Sequence, residues 1–118
     1  MNAEEFEEIF ETVIDRIRNT LIVKAREYAN DGDRMRNFKL SSQILRGTPE
    51  QALLGFETKH LVSVIDMIES GEPYPEALWD EKIGDTLVYF LLLRALVVET
   101  GRCVPTVEGK RVAETQTD

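Results

Sequence analysis

The chain has 118 residues and a formal net charge of −8, with 42% hydrophobic and 31% charged residues. This length suits one domain that buries roughly two-thirds of its unfolded surface, and the composition is ordinary for a globular protein. The acidic balance argues against a large nucleic-acid footprint, which needs clustered Lys and Arg, but it permits a small phosphorylated ligand bridged to carboxylates by a divalent cation.

The sequence also argues against a membrane span, a signal peptide and a disulfide framework. The longest apolar run is far shorter than the roughly 18 residues of a membrane span, so no membrane partner is expected. The first residues are acidic and amphipathic rather than basic and then apolar, so we expect no signal peptide and a cytoplasmic location. Cys103 is the single cysteine, which excludes an internal disulfide framework and a cysteine metal site.

The first predicted element is a long amphipathic helix from about residue 3 to about residue 29. Asn2 and Glu5 have the spacing of a capping box, and the acidic first turns suit the positive end of the helix dipole. The segment 30–33, Asn-Asp-Gly-Asp, is typical of a turn. The apolar side chains recur at helical spacing and form one stripe: Phe6, Ile9, Phe10, Val13, Ile14, Ile17 and Leu21.

A short helix and a long helix are predicted next. Residues 34–46 carry spaced apolar side chains, and Gly47 is expected to stop this short helix. Thr48 is a good N-cap, followed by a proline at the first helical position and a glutamine at the third. A helix is therefore expected over about 49–70, with Gly71 just beyond its end. Its main face is predicted to hold Leu53, Leu54, Leu61, Val64, Ile65 and Ile68.

The last predicted helix spans about 75–100 and contains the residues that suggest chemistry. Its second half, 87–98, is apolar except for Arg94, which is typical of a helix packed on nearly every side. Glu81 and Asp85 lie about 40° apart on one face of this helix. The same face continues through Val88, Leu92 and Leu96. Both carboxylates are therefore expected to point toward the core, where an acid must be paired, protonated or bound to a metal.

These elements predict an all-α fold. Three long helices and one short helix, without a period-two strand pattern, indicate an antiparallel helical bundle over residues 1–101. Residues 102–118 hold few large aliphatic side chains and are expected to form a poorly ordered tail. One side of 87–98 would remain uncovered, which predicts a homodimer or higher homo-oligomer. Gly55 and Gly84 lie inside helices; close approach of a neighbour and a tolerated defect both remain open as reasons.

Four segments together resemble a known family. They are Lys24 to Tyr28 (Lys-Ala-Arg-Glu-Tyr), Asp33-Arg34 with Asn37-Phe38, Lys59-His60, and Trp79 to Asp85 with Tyr89. Over roughly residues 20–99, their order and spacing are similar to small phage-encoded proteins related to the MazG-like superfamily of all-α nucleoside triphosphate pyrophosphohydrolases. The resemblance implies a helical bundle that binds Mg²⁺, or Mn²⁺, on carboxylates from two helices. It also implies hydrolysis of a nucleotide to the monophosphate and pyrophosphate, in dimers or tetramers, in the host cytoplasm if the chain is phage-encoded.

The resemblance also implies roles for individual residues. Glu81 and Asp85 would be the catalytic carboxylates, and together with Glu57 on the preceding long helix they would bind the metal. Lys59 and Arg34 would neutralise phosphate charge. The remaining ligand-binding residues would be His60, Asn37, Phe38 and Tyr89.

Ordinary structural explanations stand beside these roles. Lys59 also suits a solvated helix face, His60 a half-exposed one, and Tyr89 an amphipathic core position. Two functions compete with hydrolysis. Lys82 stands where the family has a glutamate, and the preceding long helix holds no Glu-x-x-Glu pair, so the chain is also consistent with binding a nucleotide without hydrolysis. The third candidate function is that of a purely structural oligomeric module.

Overall fold

The computed structural model describes residues 1–27, 32–104 and 106. In this part of the chain there are four α-helices and no strand: α1 (Ala3–Glu27), α2 (Arg36–Leu45), α3 (Pro49–Ser70) and α4 (Glu76–Glu99). The prediction of an all-α chain with three long helices and one short helix is confirmed. None of these helices is long and apolar enough to cross a membrane. Residues 28–31, 105 and 107–118, which include the predicted end of the first helix and most of the predicted tail, lie outside the described residues.

The two capping boxes that the sequence predicts are both present, one at the start of α1 and one at the start of α3. Gln51 N donates to Thr48 Oγ1 at 3.1 Å, and Thr48 N donates to Gln51 Oε1 at 2.9 Å, so the capping box of α3 is complete. At α1, Glu5 N donates to Asn2 Oδ1 at 2.8 Å and Asn2 N donates to Glu5 Oε2 at 3.3 Å. Gly71 ends α3 in the left-handed conformation, with φ +67°. These ends were predictable because each depends on residues close together in the chain.

The end of α2 differs from the prediction. Arg46, with φ 57° and ψ 43°, takes the left-handed position, not Gly47. Gly47 has a different role, because a Cβ there would lie 2.6 Å from Gln51 Oε1. The glycine therefore leaves room for the side chain that completes the capping box of α3.

Helix α3 lies antiparallel to α4. The Thr100 hydroxyl, just beyond α4, donates to Glu50 Oε2 near the start of α3 at 2.7 Å. Nearer the other end of the pair, His60 Nδ1 lies 3.8 Å from Asp85 Oδ2. The Thr100 hydrogen bond is the main cause that lowers the pKa of the buried Glu50 carboxyl. Helix α2 packs on the side of α3, and its Phe38 ring contacts Tyr89 in the middle of α4.

Helix α1 packs on α4 and runs in the same direction. Arg16 lies beside Gly84, and Lys24, further along α1, shares a cavity with Leu92, further along α4. A Cβ on Gly84 would lie 3.4 Å from Arg16 Cδ, which is ordinary contact with a flexible side chain, so close approach does not require this glycine. Nothing lies within 4 Å of a Cβ built on Gly55. Among the four described helices, α1 makes no close backbone contact with α3.

The core is small and lies along one stripe of α4. Gly84, Val88, Leu92 and Leu96 are buried, and Leu96 and Leu53 are almost fully enclosed. The predicted inner stripe of α4 is therefore confirmed. The opposite side of α4 exposes large apolar side chains: Ile83, Leu87, Phe90, Leu91 and Val98.

The predicted main face of α3 is wrong in part. Leu53 is buried and Val64 is partly buried, whereas four other members of that face are exposed: Leu54, Leu61, Ile65 and Ile68. Helical spacing identifies apolar stripes but does not tell which one the same chain covers. The radius of gyration, 17.2 Å, exceeds the roughly 13–14 Å expected of a compact domain of this length.

Replacement of Thr48 by alanine is expected to lower the free energy of unfolding by about 1 kcal/mol, because the Gln51 amide at the start of α3 loses its acceptor. Urea denaturation followed by circular dichroism measures this loss. Thr12→Ala is the matched control, since Thr12 lies exposed inside α1, where alanine is the better helix former. Equal losses for the two variants would contradict the role of the cap.

Candidate functional site

A cavity opens between the end of α1, the loop before α2, and the helices α2, α3 and α4. The space inside it that a water-sized sphere can occupy is about 50 Å³, below the roughly 300–1,000 Å³ of typical small-molecule sites, so a larger ligand would extend through its open mouth. Its walls are Lys24, Arg34, Asn37, Phe38, Phe56, Tyr89 and Leu92. Four of these residues, Arg34, Asn37, Phe38 and Tyr89, are sequence-predicted ligand residues, and the fold brings them together from two separate parts of the chain.

Aromatic rings form the apolar wall of the cavity. Phe38 contacts Phe56 and Tyr89 in edge-to-face fashion, with ring centroids 5.7 Å and 6.4 Å apart. The His60 ring lies behind Tyr89, with centroids 5.0 Å apart and planes tilted by 33°. Such contacts hold each ring in a defined orientation. The cavity therefore presents ordered aromatic surface of the kind that accepts a planar, unsaturated ring.

Two cationic side chains line the same cavity. Arg34 Nη2 donates to the Leu21 carbonyl oxygen near the end of α1, which holds the guanidinium in place. Arg34 Nε is buried and has no hydrogen-bond partner within the described part of the chain. A buried donor without an acceptor is costly, so this position favours a ligand that supplies one. Lys24 adds a second positive charge to the wall.

The loop that carries Arg34 is held by a neighbouring acid. Asp33 Oδ1 accepts from Met35 N at 2.9 Å, and Asp33 Oδ2 lies 2.9 Å from Lys39 Nζ. The Lys39 ammonium also contacts Glu99 at the end of α4. Lys39 is the main cause that lowers the pKa of the Asp33 carboxyl. These contacts fix the start of α2 against α4 and so position Arg34 at the cavity.

Glu57 is the most unusual side chain near this cavity. Its side chain has no exposed surface, and neither carboxylate oxygen has a hydrogen-bond partner among the described residues. Burial raises the pKa of the Glu57 carboxyl. The Thr86 hydroxyl, which donates to the Lys82 carbonyl oxygen at 3.3 Å, offsets this rise only in part, and the negative charge of Asp85 adds to it. Of the three carboxylates that the resemblance assigns to the metal, Glu57 is the one that the structure encloses.

The two α4 acids separate in the structure. Asp85 is half-buried beside His60, whereas Glu81 is exposed. The expectation that both carboxylates point toward the core is therefore wrong for Glu81. Its angular position on the helix matches the buried stripe, but α1 and α3 do not contact each other and leave the first turns of α4 open. Lys59 is also exposed and does not line the cavity.

The ligand set predicted for the metal is assembled only in part. Within the described residues, no group of three or more His, Cys, Asp or Glu side chains is arranged to hold a metal ion. Glu57 and Asp85 nevertheless suit a hard cation, because both present carboxylate oxygens and those of Glu57 lack partners. Mg²⁺ keeps several waters and needs few protein ligands. The metal site on Glu57, Glu81 and Asp85 stays a prediction.

Two cavity residues were missed by the sequence interpretation. Lys24 lies inside the first family-like segment but received no role, and Phe56 received none either. Phe56 precedes Glu57 and lies one helical turn before His60, and both of these residues were predicted to belong to the site. This closeness in the sequence was the signal that could have identified Phe56. The position of Lys24 in the cavity wall could not be predicted from the sequence, because it depends on the packing of α1 on α4.

Comparison with known proteins adds no family to this description. The chain matches no family model, no curated protein and no solved structure. The functional interpretation therefore depends on the geometry of the cavity and on the sequence resemblance.

Replacement of Glu57 by glutamine is expected to stabilise the fold more at high pH than at low pH. The folded-state pKa lies above the ordinary value of 4.5, so the native state keeps a proton that the unfolded chain releases. The cost of Glu57 therefore grows as pH rises from about 4.5 to the folded-state pKa and is constant above it. Urea denaturation of wild type and variant near pH 4.5 and near pH 8, without metal, measures the difference. The control is Glu69→Gln on the exposed side of α3, and an equal effect of Glu57→Gln at both pH values would contradict the prediction.

Proposed function

We propose that the chain binds a nucleoside triphosphate in the cavity between α1, α2, α3 and α4. The observation that carries the proposal is the combination of ordered aromatic rings and a buried Arg34 Nε, without a partner among the described residues, around one cavity. The buried Glu57, which also lacks a partner among those residues, follows the wall residue Phe56 in α3. An aromatic wall suits the planar base, and cations suit the phosphates. Few small molecules carry both an unsaturated ring and several negative charges, and nucleotides are the most common of them.

The cavity residues divide into two groups by chemistry. Phe38, Phe56 and Tyr89 offer edges and faces for the base. Arg34 and Lys24 provide charge for the phosphates, and Arg34 is held for this by its bond to the Leu21 carbonyl. An arginine that is already anchored loses little conformational entropy when it binds an anion. Lys59 is exposed, so its predicted role in phosphate binding applies to the outer end of a long ligand.

The proposed reaction is hydrolysis of the triphosphate to a nucleoside monophosphate and pyrophosphate. Mg²⁺ or Mn²⁺ bound by Glu57 and Asp85 would supply charge neutralisation at the phosphates and lower the pKa of water. His60, 3.8 Å from Asp85, would orient that carboxylate from the α3 side. Glu81, at the open end of α4, could join the metal ligands only after the side chain or its neighbours move. This assignment follows the sequence resemblance together with the position of Glu57.

Incubation with each common nucleoside triphosphate and Mg²⁺ or Mn²⁺ is expected to release pyrophosphate from at least one substrate. Asp85→Asn should abolish release because it removes a carboxylate next to Glu57, whereas Asp66→Asn on the exposed side of α3 should leave it unchanged. Millimolar metal should also raise the melting temperature of wild type but not of Asp85→Asn. Absence of pyrophosphate across the whole panel would contradict the enzymatic proposal.

The second candidate is nucleotide binding without hydrolysis. The exposure of Glu81 favours it, together with Lys82 where the family has a glutamate, because a thinner carboxylate set weakens catalysis before it abolishes binding. Calorimetry separates the two proposals. Stoichiometric binding of a nucleotide without turnover supports the second candidate, and Phe56→Ala should weaken that binding by removing one aromatic wall. A chain that binds no nucleotide under either condition would leave only a structural oligomeric module.

We also propose that the chain associates with itself, as a homodimer or a higher homo-oligomer. The support is the amount of large apolar surface left exposed on α3 and α4. Monomeric proteins rarely expose contiguous apolar patches of this kind. The expected site of action is the cytoplasm, where nucleoside triphosphates are abundant.

A further inference from the structure

One surface of the molecule combines two exposed apolar seams. It is formed by α3 and α4 on the side that carries Leu54 and Arg94, and we call it the outer face. Both residues line one shallow groove together with Leu93 and Val97, so the two helices border a common surface. We infer that the outer face binds the outer face of a second copy of this chain, with the two α4 helices antiparallel. This inference rests on the self-association proposed above and assigns it a surface and a geometry.

The α3 seam has the spacing of a coiled coil. Its positions follow one another at intervals of four, three, four and three residues: Leu54, Thr58, Leu61, Ile65 and Ile68. All five are exposed in the single chain. An alternation of three and four keeps one seam facing a partner helix over several turns. No helix of the described chain covers this seam.

The α4 seam has the same alternation. Its positions follow at intervals of three, four, three and four residues: Asp80, Ile83, Leu87, Phe90 and Arg94. The three central side chains are 38–45% exposed although they belong to the most apolar helix of the chain. The buried stripe of α4 lies on another side, so this helix presents one apolar surface to its own chain and a second one outward.

The charges at the ends of the α4 seam favour a second copy over another partner. Asp80 lies near the beginning of the seam and Arg94 near its end. When two such helices lie antiparallel, Arg94 of one copy comes beside Asp80 of the other, at both ends of the contact. Within the described residues neither side chain has an ion-pair partner. In a two-fold symmetric dimer, the same surface of each copy forms the interface, so that surface must be complementary to itself. The α4 seam meets this requirement, because its acidic end lies beside the basic end of the other copy.

The size of the surface also suits a stable dimer. A standard interface buries about 800 Å² on each partner and involves roughly 20–30 residues of each. The ten seam positions would supply the centre of such a patch, and their neighbours on both helices its rim. Two outer faces in contact would form a four-helix layer from the α3 and α4 helices of both copies and cover the uncovered side of α4.

Sedimentation equilibrium of the whole chain at micromolar concentration tests the assignment. Wild type is expected at twice 13.5 kDa, and Leu87→Glu at 13.5 kDa with its helix signal retained. Ile44→Glu is the matched control, because Ile44 is 79% exposed on α2, away from the outer face, and this variant should remain a dimer. A larger wild-type assembly that Leu87→Glu reduces also supports the face.

Charge exchange provides a second measurement that does not depend on a core-like substitution. Arg94→Glu and Asp80→Arg should each raise the Kd of the dimer roughly tenfold or more, and the double variant should recover most of the loss. A monomeric wild type would overturn both the self-association and the outer face. An oligomeric wild type that Leu87→Glu leaves intact, or a double variant as weak as the sum of the single ones, would overturn the outer face alone.

Discussion

The arrangement of this chain depends on the need to cover α4. The helix is apolar around nearly its whole circumference. If one side alone is buried, much of the hydrophobic stabilisation that its apolar side chains could provide is not realised. Helix α3 covers one side and α1 a second, and the side with Leu87 and Phe90 remains exposed. Because α1 and α3 do not meet, a single chain forms an open layer of helices around α4 instead of a closed core.

The same openness creates the cavity. Helix α2 packs on α3, and the end of α1 packs on α4, so their side chains enclose a space that no helix fills. The walls of that space are aromatic and cationic, and the wall residue Phe56 is followed in α3 by Glu57, a carboxylate without exposed surface and, among the described residues, without a hydrogen-bond partner. A fold under selection for stability alone would place an apolar residue at such a position. A buried acid beside a polar cavity is instead typical of a site that binds a ligand or a cation.

Much of the fold followed from short-range patterns. The capping boxes at Asn2 and Thr48, the glycine after α3 and the apolar periodicity of α4 placed the start of α1 and both ends of α3 and α4 within one residue. These features depend on interactions between residues at most four apart, which a sequence displays directly. The exchange of roles between Arg46 and Gly47 shows the limit of such patterns, because it depends on where the Gln51 side chain lies.

The sequence by itself determined which residues are helical, which faces are apolar and which polar side chains are candidates for a site. Tertiary structure alone decided which of those faces and side chains are enclosed. Leu53 and Leu54 are adjacent and chemically identical, yet the first is buried and the second exposed. Leu53 packs into the core cluster, whereas Leu54 lies in the open groove between α3 and α4. Likewise, Glu57 is enclosed and Glu81 is open, although both lie on the apolar side of their helices. Burial depends on which helices meet, and that is settled by packing between residues distant in the chain.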